Sequence, residues 1–232
     1  PAWLNFDPST GLFSGLPLNV NIGTVNLRIT ATDVAGKSVN ATFTLQVSSN
    51  ATRAGLVEVV KTTPDATNPS IPRKTEVDRF GPVSGNMLEL EKWDPVTGQM
   101  VEFDQWDAAT GRKVSLQKFD STTGKATELH AWDAQTGHEI EFTKFDPVTG
   151  RKLEVHKWDA QTTEKTLLEL FDATTGAMTQ LNTWDPVTLQ QTGYAGWDAV
   201  TGKQTEIDRW DAATGTKLMF ELFDRTTGRA LE

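Results

Sequence analysis

Apolar and polar positions alternate in short blocks along the chain, and from Phe80 onward the blocks recur every 13 residues. Aromatic residues mark the register: Phe80, Trp93, Trp106, Phe119, Trp132, Phe145, Trp158, Phe171, Trp184, Trp197, Trp210 and Phe223. With the aromatic as position 0, Asp follows at 1, Thr at 4 and Gly at 5, and apolar residues recur at 8 and 10. The string D-x-x-T-G is turn chemistry. Its Asp accepts bonds from the backbone N–H groups that follow, and its Gly supplies a left-handed residue ending a four-residue hairpin loop. The alternating residues after it make a strand of about seven to nine residues. A fixed period means one supersecondary unit copied and stacked. The expected fold is therefore all-β, an antiparallel array of twelve repeats. The alternative is a parallel β-solenoid with 26 residues per coil, which would stack identical aromatics every ~4.8 Å.

The antiparallel reading yields a pairing map. If positions 1 and 6 flank the loop, position 10 of each strand meets position 10 of the next. Those residues are Leu90, Phe103, Leu116, Leu129, Phe142, Val155, Leu168, Leu181, Tyr194, Ile207 and Phe220, a continuous apolar ladder on one face. Glu at position 9 and the aromatics would occupy the other face, beside long stems such as Met87, Lys152 and Lys217 at position 7. Alternating strand direction puts the aromatics on two edges. One edge holds Phe80, Trp106, Trp132, Trp158, Trp184 and Trp210, so the true unit is a hairpin of two repeats. Thr163 and Leu189 replace the turn glycine. A non-glycine residue in the left-handed region costs roughly 1 kcal/mol, so these turns should change type or the sheet should bend there.

The front of the chain has a different text. Val25–Thr30 and Ala41–Val47 alternate as half-buried strands around the turn Asp33-Val34-Ala35-Gly36-Lys37, and Leu56–Val60 suits a closing strand. Pro64, Pro69 and Pro72 then suggest an extended spacer. The expected organisation is a β-sandwich module over 1–60, a proline-bearing linker over 61–79 and the repeat array over 80–232. Pro1-Ala2-Trp3-Leu4, Phe6-Asp7-Pro8-Ser9-Thr10-Gly11, Phe13-Ser14-Gly15 with Pro17, and Ile29-Thr30-Ala31-Thr32-Asp33-Val34-Ala35-Gly36 resemble the cadherin-like, immunoglobulin-type modules found in tandem in bacterial surface proteins. The resemblance covers about a fifth of the chain and starts partway into the usual sandwich, which implies a partial module. It also implies Ca²⁺ as a ligand near Asp33, against which stands the simpler role of a turn-capping Asp. The repeats are in turn similar in kind to the aromatic-Asp repeats of bacterial shell-forming proteins, with a shorter period and a different Thr-Gly. Asn40-Ala41-Thr42 and Asn50-Ala51-Thr52 match the glycosylation acceptor pattern, and no function is assigned to them.

Charge sharpens the division. Residues 1–79 carry seven Lys/Arg against six Asp/Glu, whereas residues 80–232 carry fifteen against twenty-five. Eleven of those acids are the turn Asp residues, so the acidity follows from turn chemistry. With no basic stripe, nucleic acid is not an expected partner. Cysteine is absent, which removes disulfides, thiolate metal sites and a cysteine nucleophile. No apolar run approaches ~20 residues, so membrane insertion is not expected. Pro1 in place of a methionine suggests an excised or processed start.

Candidate chemistry is sparse because every carboxylate is copied along the array. Asp at position 1 and Glu at position 9 lie too far apart in one repeat to share an ion. His130 and His156 share position 11 two strands apart, about 10 Å, too far for one metal. No nucleophile–base set or phosphate loop emerges, so no enzyme and no cofactor is expected. The row Trp106, Trp132, Trp158, Trp184 and Trp210 is the feature with binding potential, since spaced indoles stack on sugar rings. The sequence thus points to a structural or adhesive segment of a bacterial extracellular protein that associates with itself or with neighbouring repeats. A carbohydrate-binding repeat module is the second reading and a toxin-encapsulating shell the third.

Overall fold

The computed structural model describes residues 1–9, 12–15, 17, 19–50, 56–65 and 71–231. The Asn50-Ala51-Thr52 acceptor and the middle of the proline-bearing stretch fall outside them in whole or part. The described residues are nearly all β, with one 3-10 turn at Asn19–Asn21, and every strand pairing is antiparallel. The solenoid alternative is thereby excluded. The chain divides into two compact units, Pro1–Arg112 and Lys113–Glu232.

In the first unit, β1 (Leu4–Asp7) and β2 (Leu12–Gly15) form a hairpin. A sheet runs in chain order through β3 (Gly23–Thr32), β4 (Ser38–Asn50), β5 (Leu56–Pro64), β6 (Pro72–Phe80), β7 (Met87–Trp93) and β8 (Met100–Trp106). Alternation along these strands gathers one core. Leu45, Val47, Val57, Val59 and Phe80 are buried, with Trp3, Leu4, Val25, Leu27, Phe43 and Met87 packed against them. The hairpin is held to the sheet partly by Phe13 against Phe43, edge to face at 5.3 Å. Each fully buried Val, Leu or Phe here stabilises by about 1.5–3 kcal/mol. On the opposite face Arg79 is buried among Glu58 (2.9 Å), Glu91 (2.6 Å) and Glu89 (3.2 Å).

The described residues of the stretch 61–79 do not form a spacer. Lys61–Pro64 belongs to β5 and Pro72–Phe80 is β6, and the two pair as a hairpin. Pro64 and Pro72 face each other where β5 ends and β6 begins, next to the Asp65 N–H bond to the Ile71 carbonyl, and a proline at a strand end costs no ladder bond. The compact division also falls after Arg112 rather than before Phe80, because β6 and β7 continue the N-terminal sheet.

The second unit is one sheet of nine strands, β9 (Lys113–Phe119), β10 (Ala126–Trp132), β11 (Glu139–Phe145), β12 (Lys152–Trp158), β13 (Lys165–Phe171), β14 (Met178–Trp184), β15 (Gln191–Trp197), β16 (Gln204–Trp210) and β17 (Lys217–Leu222), each paired with the next. Its turns follow the expected chemistry. Asp146 Oδ1 accepts the N–H groups of Val148 (3.1 Å) and Thr149 (2.6 Å) and the Thr149 hydroxyl (2.8 Å). Gly150, at φ 75°, donates to the Asp146 carbonyl at 2.8 Å. The glycine also leaves room for a neighbour: an added Cβ at Gly176 would lie 3.1 Å from Arg151 Cδ. Arg151 there bonds the Thr174 carbonyl of the turn two repeats ahead, and Lys125 does the same at Val148.

Thr163 and Leu189 depart from expectation. Their turns neither change type nor lose a bond. Both residues take up the left-handed conformation, at φ 64° and 62°, and keep the 2.9 Å bonds to the Asp159 and Asp185 carbonyls. Thr163→Gly and Leu189→Gly should therefore each raise stability by about 0.5–1 kcal/mol in urea melts, the strain released exceeding the added chain entropy of glycine. A loss of stability from both would show that these side chains contribute packing that outweighs the strain.

The pairing map holds at the turn and fails beyond it. Trp132 opposes Glu139, position 0 against 7, but Ala131 then opposes Glu141. Ile140, at position 8, is an extra residue, and the same bulge recurs in each hairpin of the second unit. Past the bulge, position 10 meets position 11. The ladder on one face is Leu116, His130, Phe142, His156, Leu168, Asn182, Tyr194, Asp208 and Phe220. On the other it is Gln117, Leu129, Thr143, Val155, Glu169, Leu181, Ala195, Ile207 and Glu221. The continuous apolar stripe is thus replaced by apolar–polar alternation, interrupted on the second face by the run Leu181, Ala195 and Ile207, and most strand residues are half-buried.

Candidate functional site

The one-residue shift decides where the aromatics go. Residues i and i+2 of a strand share a face. Trp132, Trp158, Trp184 and Trp210 therefore stand on the face of His130, His156, Asn182 and Asp208, whereas Phe119, Phe145, Phe171 and Trp197 lie on the opposite face. The aromatics do not share one face as the unshifted map required. Four of the five residues expected to form a stacking row are thus brought together in the second unit, on alternate strands about 10 Å apart. Trp106 lies in the first unit, at the end of β8.

Each of these Trp residues is half-buried and has a polar companion. His130 stacks on Trp132 at 5.6 Å and 10°, and His156 on Trp158 at 5.8 Å and 16°. Phe142 lies between the two imidazoles, 4.9 Å from His130 and 5.7 Å from His156. The result is a five-ring row, Trp132–His130–Phe142–His156–Trp158. The histidines are indeed two strands apart, with a phenyl ring between them.

A second set of contacts was missed in the sequence. On the strands of Trp132, Trp158, Trp184 and Trp210, the residue at position 11 contacts the residue nine places later, at position 7 of the next strand. His130 Nδ1 lies 2.6 Å from Glu139 Oε1, and Lys165 Nζ lies 3.1 Å from His156 Nδ1. Gln191 Nε2 donates to Asn182 Oδ1 at 3.3 Å, and Lys217 Nζ lies 3.3 Å from Asp208 Oδ2. The pairs His/Glu, His/Lys, Asn/Gln and Asp/Lys are chemically matched, which an i, i+9 comparison between repeats could have revealed. Lys165 and Lys217 also sit over the rings of Trp158 (5.9 Å) and Trp210 (4.9 Å). Nearby, Lys118 holds the Glu128 carboxyl below its usual range, and a bond from His156 does the same for Glu154.

Asp33, the candidate Ca²⁺ ligand, caps its turn. Its Oδ1 accepts the N–H groups of Ala35 (2.8 Å) and Lys37 (2.9 Å). Among the described residues no three metal-capable side chains converge. What the Trp face offers chemically is a half-buried ring row edged with hydrogen-bonding groups, suited to contact rather than to bond-making.

Comparison with known families matches residues 1–48 to He_PIG, "Putative Ig domain", in keeping with the resemblance carried by Trp3, Phe13 and Asp33. No curated protein matches the chain. Among solved structures it is similar to TarM at 12% identity and TM-score 0.25, over 51% of this chain and 19% of that one. The TcdB2-TccC3-Cdc42 structure gives 10% identity and TM-score 0.19, over 80% of this chain and 13% of that one. The Photorhabdus luminescens Tc holotoxin pore gives 11% and 0.15, over 88% and 16%. The chain spans about a fifth or less of each of these, and likeness at this level carries no argument about function.

Proposed function

We propose that this chain is a structural or adhesive segment of a bacterial extracellular protein, built to associate with further repeats or with copies of itself. It is neither a catalyst nor a cofactor carrier. The immunoglobulin-type match and the β-repeat fold support the coarse reading. The observation that carries the finer one is β17. It pairs with β16 on one side, Leu231 N–H bonds the Leu222 carbonyl at 2.8 Å on the other, and Leu218, Phe220 and Leu222 on one face are 67%, 55% and 39% exposed. An exposed apolar face of this kind favours cover by another copy or by further repeats. Sedimentation velocity across the micromolar range should show a rising weight-average mass, and Leu218→Lys with Phe220→Lys should abolish the rise. A monomer at all concentrations in the unmodified chain would remove self-association from the proposal.

Glycan binding is the second reading, favoured by the four Trp residues on one face. Lys165 and Lys217 already lie over two of those rings and His130 stacks on a third, that of Trp132, so sugar stacking falls first to Trp184. A glycan array with Trp132→Ala and Trp184→Ala controls separates the readings, because a purely structural array retains no sugar.

A further inference from the structure

Under the N-terminal hairpin lies a cavity of about 590 Å³, within the usual size range of small-molecule sites. Its walls are largely apolar and aromatic, with Trp3, Phe13, Leu45, Val59, Phe80 and Met87 contributing. Two charged residues also line it, Lys61 and Asp78. A second hollow shares Phe13, Lys61, Asp78 and Met87 with the first and adds Glu76, so the two meet at this charged cluster.

The cluster is undercompensated. The Lys61 ammonium is shared between Glu76 and Asp78 (3.2 Å to Asp78), two carboxylates for one cation. Lys92, opposite Glu76 on β7, bonds Glu102 at 2.6 Å and also attracts Glu76, so three carboxylates share two cations. Asp78 is only 6% exposed, and its Oδ1 is buried without a hydrogen-bond partner among the described residues. A buried carboxylate oxygen without a donor is costly, and such groups call for an explanation. Burial pushes the Asp78 carboxyl up to about 6, so it is still charged at pH 7.5. Replacing a neutral donor by a cation there would add charge compensation to the hydrogen bond.

We propose that this cavity binds a small organic amine, with its ammonium group bonded to Asp78 and its aromatic or branched apolar body against Trp3, Phe13 and Phe80. The aromatic walls suit such a ligand twice over, by apolar burial and by cation–π attraction. A carboxylate ligand of the same shape is excluded by the anionic cluster.

The test uses the whole chain at pH 7.5 and three probes of similar shape: 2-phenylethylamine, 2-phenylethanol and phenylacetate. Calorimetric titration should give binding of the amine at least tenfold tighter than the alcohol, and none of phenylacetate. Amide and indole resonance shifts on adding the amine should centre on Trp3, Phe13, Asp78 and Phe80. Asp78→Asn should bring the amine down to the level of the alcohol. The titrations and resonance shifts in the unmodified chain decide the matter even if that variant does not fold. No binding of the amine at millimolar concentration, equal binding of amine and alcohol, or shifts confined to other residues would each overturn the proposal.

Discussion

Phe80→Ala is expected to lower the stability of the N-terminal unit by about 3–5 kcal/mol, the range for deleting a buried aromatic ring. Phe80 is the first aromatic of the 13-residue register, yet its ring is only 6% exposed and belongs to the core formed by Leu45, Val47, Val57 and Val59. It opposes Val57 on β5 and Met87 on β7, so it joins the N-terminal strands to the repeat strands. The void left by Ala would open onto the cavity already lined by Phe80 and Met87, where little can collapse to fill it. A loss of this size approaches the whole stability of many domains. Trp158→Ala removes a larger side chain from the same repeat position but from a half-buried setting, and should cost less. Urea melts followed by circular dichroism compare the two directly. Equal losses would mean that Phe80 belongs energetically to the array and not to the N-terminal core.

Phe80 also shows which parts of the fold were legible. The 13-residue period fixes turn, strand and antiparallel direction because D-x-x-T-G has one low-energy solution, seen alike at Asp94, Asp146 and Asp224. The bulge was not legible. Position 8 holds Thr127, Ile140, Leu153 and Thr166, residue types that any regular strand would accept, so nothing in them marks an extra residue. Yet that single residue moves every partner by one, turning a proposed apolar stripe into the alternation His130, Phe142, His156. The contacts of the i, i+9 pairs follow from the shifted register, although their matched residue types were open to an i, i+9 comparison between repeats. The spacer reading failed on context: Pro64 and Pro72 look like linker residues until each is seen to lie at a strand end. The amine cavity could not be read at all, because Trp3, Phe13, Asp78 and Phe80 come from three separate stretches of sequence.

Acid should unfold the repeats steeply. In all eleven turns, Asp94 through Asp224, hydrogen bonds from the turn's own Thr and its backbone hold the Asp carboxyl below its ordinary value; backbone N–H donation comes first in ten, and the Thr214 hydroxyl leads at Asp211. A carboxyl whose folded value is depressed stabilises fully above its unfolded value, about 3.9, and that contribution fades as pH falls through the folded value. Each carboxylate is solvent-exposed and its share is small. The effect is large because nine of the eleven copies lie in the second unit and titrate in the same window. Asp78 has the opposite sign. Burial raises its folded value to about 6, so its contribution grows as pH falls from 7 through 6 and is complete near 4. Thermal melts from pH 7 to pH 2.5 should therefore show the second unit holding steady to about pH 4 and then losing stability sharply. Asp120→Asn, Asp146→Asn, Asp172→Asn and Asp198→Asn together keep four acceptors but remove their titration. That combined variant should make the acid transition visibly shallower. An unchanged slope would show that acid acts through strand carboxylates such as Glu128 and Glu154, and not through the turns.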